Sequence, residues 1–127
     1  MTDFNGLTNK RKTGAHYEQL AAAYLEREGY LIVGRNVRTR YGEIDLTART
    51  PDRKTLVICE VKYRSSRDVS DALSAVDYRK QQQLIRMARQ YMMKYRIGEE
   101  TQVRFDVIGI SGGGELSHIE NAFDAGS

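Results

Sequence analysis

Covalent and metal-based staples are nearly absent from this chain. Its sole cysteine, Cys59, lies in an apolar run without an intrachain partner, which excludes a disulfide framework and a cysteine-based zinc cluster. Two histidines, His16 and His118, are too few and too far apart for a zinc site or a nucleophile–base pair. Nowhere do about 18 apolar residues run together, so no membrane span is expected. Met1 to Gly14 lack an apolar stretch of signal-peptide length. A reducing cytoplasm is the expected setting. Gly112 to Gly114 lack the following helix and Lys-Ser/Thr of a phosphate loop and read only as a turn.

What is present fits one globular domain. The 127 residues, 40% hydrophobic, can build a single core. The 20 Lys+Arg against 17 Asp+Glu leave a net charge of +3, a weak pointer to polyanions. Residues 1–12 end in Lys10-Arg11-Lys12 and read as a flexible basic arm, residues 13–124 as the domain and residues 125–127 as a tail.

Tyr17, Leu20, Ala21, Tyr24 and Leu25 recur at helical spacing, with Gly29 at the expected C-terminal cap. Three stretches rich in strand formers follow, Tyr30 to Arg38, Gly42 to Arg49 and Thr55 to Tyr63, the last two joined by a turn at Pro51-Asp52. Arg64 to Ala75 shows no period and reads as a loop. A second helix is expected from Asp77 to about Arg96, with Leu84, Ala88, Tyr91, Met92 and Tyr95 on its apolar stripe and Arg79, Arg86, Arg89, Lys94 and Arg96 on or near the other side. A fourth strand, Gln102 to Ile110, then turns at Ser111 to Gly114 into a last strand through His118 and Ile119. The order is αβββαβ plus an edge strand, an α/β fold.

Alternation sorts the strands into faces. Glu43, Asp45 and Thr47 should share one face of the second strand, and Ile44, Leu46 and Ala48 the other. On the third, Leu56, Ile58, Glu60 and Lys62 point one way and Val57, Cys59, Val61 and Tyr63 the other. A hairpin joining these strands brings Asp45 beside Glu60, with Lys62 further along the same face. Two carboxylates and an ammonium at one sheet edge suit attack of water on a phosphodiester. Mg²⁺ takes hard oxygen ligands, so Asp45, Glu60 and the Val61 carbonyl are candidate ligands, and Glu18 on the first helix an auxiliary acid. Lys62 is placed to orient or deprotonate the water, or to stabilise the phosphate charge.

Acid-x-Lys alone is common, and a second triplet, Asp52-Arg53-Lys54, stands in the expected turn. Glu60-Val61-Lys62 differs in closing the apolar run Leu56 to Cys59 opposite a strand acid. The alternative is an ordinary pair on a solvated strand end, with Asp45 answering Arg38 or Arg40. For phosphate contacts the candidates are Arg38, Arg40, Arg64, Arg67, Arg79 and Lys80, which flank the site in sequence.

Gly14 to Glu18, Ala21 to Leu25, Gly29-Tyr30, Arg35 to Arg38, Gly42-Glu43-Ile44-Asp45-Leu46, Glu60-Val61-Lys62, Arg104 to Ile108 and Ile119 to Phe123 together resemble the bacterial YraN-type family. That family is similar in fold to the restriction-endonuclease-like, PD-(D/E)xK superfamily and especially to archaeal Holliday junction resolvases. Tyr17 stands where the family often has a small residue, and the loop after Arg64 lacks the family's common glycine. The resemblance implies a restriction-endonuclease-like αβββαβ core with a mixed sheet and a C-terminal edge strand. Its metal site would be Glu18, Asp45, Glu60 and Lys62. It also implies an Mg²⁺- or Mn²⁺-dependent endonuclease acting on DNA, branched DNA included, and a homodimer. RNA is a second polyanion open to the same surface. The competing functions are a nucleic-acid-binding protein without turnover and a protein-interaction module on the same fold.

Overall fold

The computed structural model describes residues 2–64 and 76–125, with side chains from residue 14 onward. The elements run α1 (Thr2–Arg27), β1 (Leu31–Thr39), β2 (Gly42–Arg49), β3 (Thr55–Arg64), α2 (Tyr78–Lys94), β4 (Gln102–Ser111) and β5 (Leu116–Phe123). They form one five-stranded sheet in the order β1-β2-β3-β4-β5. The pairs β1–β2, β2–β3 and β4–β5 are antiparallel, and β3–β4 is parallel. Short turns serve the antiparallel pairs, whereas the parallel pair needs a crossover, which α2 supplies.

Helix α1 begins at Thr2 rather than near Thr13, so the expected arm continues the helix. The sole proline is Pro51, and no residue before Arg27 removes the backbone donor a helix needs. At the other end Gly29, at φ +92°, closes a Schellman cap in which Tyr30 N–H donates to Leu25 O and Gly29 N–H to Glu26 O. The β2–β3 turn is held by Thr50 and Asp52: Thr50 Oγ1 and Lys54 N–H both donate to Asp52 Oδ1. Those bonds occupy the second acid-x-Lys triplet in a purely local role.

The helices cover opposite faces of the sheet. Ala21, Ala22 and Leu25 of α1 pack with Leu46, Ala48, Val57, Cys59, Ile108 and Ile110. Leu84, Ile85, Met87, Ala88 and Tyr91 of α2 pack with Ile44, Leu56, Ile58, Phe105 and Val107. The alternation expected for β3 is therefore present. That expected for β2 is not, because Ile44 lies in the α2 layer while Leu46 and Ala48 lie in the α1 layer. Thr47 also faces α2, where its Oγ1 donates to the Tyr91 hydroxyl at 3.3 Å. Glu43, Asp45 and Thr47 thus do not share a face.

The strand changes face at Asp45, and its neighbour changes with it. On β1 both Gly34, against Thr47, and Val37 face the α2 layer although they are three apart. Between them Asn36 adopts φ +49°, a left-handed conformation that asparagine tolerates better than most residues. The β1–β2 ladder passes from Arg35–Leu46 to Val37–Ile44 with Asn36 and Asp45 outside it.

On α2, Asp77 is the N-cap, its side chain accepting from Lys80 N–H. Tyr95, expected in the apolar stripe, is 54% exposed because it is the C-cap, past the last helical residue. No described helix is long and apolar enough to cross a membrane.

Candidate active site

The kink in β2 puts Asp45 at the level where the β2–β3 ladder ends. The last pair is Leu46–Cys59, and beyond it Asp45 Oδ2 accepts the Val61 N–H at 2.8 Å. A side-chain oxygen thus does what a strand carbonyl would do, and the carboxyl is drawn in beside Glu60. The two carboxyls share a hydrogen bond. Burial, then the Glu60 charge and that bond, push the Asp45 pKa up to about 8 against the pull of the Val61 N–H. Asp45 therefore holds its proton more firmly than a free aspartate does.

Two lysines answer Glu60, which is buried. Lys62 Nζ lies 3.9 Å from Oε1 and Lys80 Nζ 3.1 Å from Oε2. Both ammonium groups are half-buried. Glu18 approaches from α1, its carboxyl near Asn36 of β1. Burial raises its pKa, Asn36 and Arg35 oppose this, and Glu43 and Glu60 add to it. Asp45, Glu60, Lys62 and Glu18 therefore fall in one neighbourhood, with Val61 tied to it through its N–H. Lys80 joins them from the first turn of α2. Among the described residues, no three His, Cys, Asp or Glu side chains are gathered closely enough to enclose a metal ion by themselves. Tyr17 stacks on Tyr63 with ring centroids 4.2 Å apart, tying α1 to the end of β3 beside the site.

The candidate phosphate contacts separate. Arg38 pairs with Glu43 at 3.3 Å, Arg64 turns back to the Tyr63 carbonyl, and Arg67 lies outside the described residues. Arg40 lines a groove of about 810 Å³ between the β1–β2 turn and α2, and Arg79 an adjoining one of about 520 Å³. Asp45 answers neither Arg38 nor Arg40. Tyr41, Tyr78, Arg86, Arg89 and Lys94, outside that candidate set, also line these grooves. Alternation of cations along the solvent side of α2 was the available signal.

The profile described as uncharacterised protein family UPF0102 matches residues 17–110. A UPF0102 protein of Legionella pneumophila (strain Corby) is 40% identical over 117 residues, 91% of this chain and 98% of the relative. One from Alkaliphilus oremlandii is 45% identical over 117 residues, 89% and 98% of the two chains. One from Vibrio cholerae is 39% identical over 120 residues, 93% and 97%. The chain belongs to the UPF0102 family. The matched span of this UPF0102 chain contains Glu18, Asp45, Glu60, Lys62 and Lys80.

A second polar cluster lies on the α1 face of β4 and β5. Arg104 holds both oxygens of the buried Asp106, at 2.9 and 2.8 Å, His118 Nε2 lies 2.7 Å from Oδ2, and Asn121 N–H donates to Oδ1. His118 Nδ1 is joined to the Tyr24 hydroxyl at 2.9 Å. Both carboxylate oxygens of Asp106 are thus satisfied, and this cluster ties β4, β5 and α1 together. His118 is a satisfied histidine, as its isolation in the sequence suggested. Cys59 is buried, and burial holds its thiol well above the usual range, so it is chemically quiet.

Proposed function

We propose that this UPF0102 protein is a metal-dependent endonuclease that hydrolyses DNA phosphodiester bonds, branched and junction structures among its substrates. The observation that carries this reading is the contact between Asp45 and Glu60 at a strand kink, with Lys62 beside them. Two crowded carboxylates are costly without a compensating cation. Mg²⁺ typically needs one or two protein carboxylates, completing its shell with water and phosphate oxygens, so this donor set fits it without a three-acid cage. An Mg²⁺ or Mn²⁺ ion held by Asp45 and Glu60, with the Val61 carbonyl and Glu18 as further oxygens, would supply charge neutralisation and a more acidic water. Lys62, as an ammonium, would donate a hydrogen bond to the attacking water or to the phosphate and offset the negative charge that develops there. Lys80 exchanges Glu60 for the incoming phosphate, and Arg40 and Arg79 hold the flanking backbone. A symmetric pair of such sites in a homodimer suits a branched substrate.

The second reading, nucleic-acid binding without turnover, is favoured by one observation: Lys62 and Lys80 already neutralise Glu60. The purified protein, incubated with Mg²⁺ or Mn²⁺ against single-stranded, duplex, flap and four-way DNA, separates the two. Cleavage lost in chelator and in Asp45→Asn is the expected result. Binding to all four without cleavage of any would leave the second reading.

A further inference from the structure

The β1–β2 turn is clamped onto α2 at two points, and a basic, aromatic groove lies around the clamp. Arg40 N–H donates to Gln90 Oε1 at 2.7 Å, and Gln83 Nε2 donates to the Tyr41 carbonyl at 2.6 Å. Gly42, at φ +139°, makes this approach possible: a Cβ there would meet Gln83 Nε2 at 2.8 Å. The larger groove is lined by Arg38, Arg40, Arg86, Arg89 and Lys94, and no carboxylate lines it among the described residues. The smaller adds Arg79. Tyr41 stands between the two, 43% exposed, with the Arg86 guanidinium 6.0 Å from its ring centroid. Tyr78, 72% exposed, also lines the smaller groove.

We infer that this groove is a binding site for single-stranded nucleic acid, in which Arg86, Arg89 and Lys94 track the backbone and Tyr41 and Tyr78 stack unpaired bases. Charge of one sign along a concave path selects a polyanion. Exposed rings select unpaired bases, because a duplex covers base faces with their neighbours while a single strand offers them. The path has a direction. Lys80, which holds Glu60, and Lys94 are fourteen residues apart on α2, about 21 Å at helical rise. Lys80 and Glu60 line neither groove, but a strand continued past the groove toward the start of α2 approaches them, so a substrate with an unpaired arm, such as a flap, would reach both. That last step rests on the nuclease reading; the binding site does not.

The test is fluorescence anisotropy with the full chain in chelator, using dye-labelled oligo-dT, oligo-rU and a duplex of equal length. Single strands should bind more tightly than duplex. Tyr41→Ala and Tyr78→Ala should each weaken single-strand binding by about 5- to 100-fold with little change for duplex. Arg86→Ala with Arg89→Ala should lower the log–log salt slope for single strands by about 1.4. Lys54→Ala, in the β2–β3 turn at the opposite end of β2, is the charge control and should change neither. Thermal melts of each variant identify loss of fold, and a melted variant is replaced by Tyr41→Leu or Tyr78→Leu, which keep bulk without an aromatic face. Duplex binding as tight as single-strand binding, or folded tyrosine variants that bind like wild type, would overturn the inference. Selective single-strand binding by a protein that cuts nothing would support it and sink the nuclease reading.

Discussion

Lys80 of α2 lies closer to Glu60 than does Lys62, its neighbour on the same strand, at 3.1 Å against 3.9 Å. The nearer ammonium thus comes from across the sheet face, and it closes the carboxylate that a metal ion would need. Lys80→Ala removes that competitor. We expect Mg²⁺ or Mn²⁺ affinity, read by titration calorimetry, to tighten by about 2- to 5-fold, the range of a half-exposed ion pair. An unchanged affinity would mean that Lys80 does not compete for the site.

Glu60 and Lys62 should divide the work. Glu60→Gln removes a hard anionic oxygen and should weaken metal binding and any cleavage together. Lys62→Ala should leave metal binding intact or tighter while cleavage falls by about 10²- to 10⁴-fold, the usual contribution of a positioned acid–base group. Calorimetry beside single-turnover cleavage on one DNA distinguishes the pair. Unchanged metal affinity in the first variant with undiminished cleavage in the second would reduce them to a strand-end ion pair.

Asp45 is held in place at a cost to the metal-free protein. Asp45→Asn keeps an oxygen for the Val61 N–H and does not have to take up a proton on folding, as Asp45 with its raised pKa does near neutral pH. Thermal or urea unfolding near neutral pH without divalent metal should show the variant more stable by on the order of 1 kcal/mol. Addition of Mg²⁺ should stabilise wild type and leave the variant unmoved. A destabilised Asn variant would show that the carboxyl serves structure rather than a ligand.

The helices and strands were legible because their hydrophobic periods are clean. Leu56 to Cys59 alternate between two buried layers, and Leu84, Ala88 and Tyr91 fall on one buried stripe. The pairing of Asp45 with Glu60 followed from the hairpin. The kink that makes it did not, because alternation assumes a regular strand and both β1 and β2 change face at one level. Asn36 is a local hint, and an asparagine in a strand-rich stretch is ambiguous until its partner strand is known. Tyr41 and Tyr78 were illegible as a pair for a different reason. One is in a turn and the other starts a helix far along the chain, and only the packing of α2 against the β1–β2 turn brings them to one groove.

Asp106 makes the protein acid-sensitive. Burial alone would raise its pKa, but hydrogen bonds from His118, Arg104 and the Asn121 N–H outweigh it and hold the carboxyl below its ordinary value. A depressed carboxyl pKa stabilises the fold fully above the unfolded value, about 3.9, and that stability is lost as pH falls through the lower folded value. Stability of wild type should therefore drop steeply below about pH 4. Asp106→Asn keeps most of the shape but cannot ionise, so its acid limb should be flatter, while at pH 7 it should be less stable than wild type because Arg104 has lost its nearer counter-charge and keeps only the more exposed Glu120. Asp106→Ala should cost about 3 to 5 kcal/mol at pH 7, as for other buried ion pairs stripped of one partner. Urea midpoints from pH 3 to 7 for wild type and both variants give the comparison. Parallel acid limbs in wild type and Asp106→Asn would show that another carboxylate governs acid unfolding.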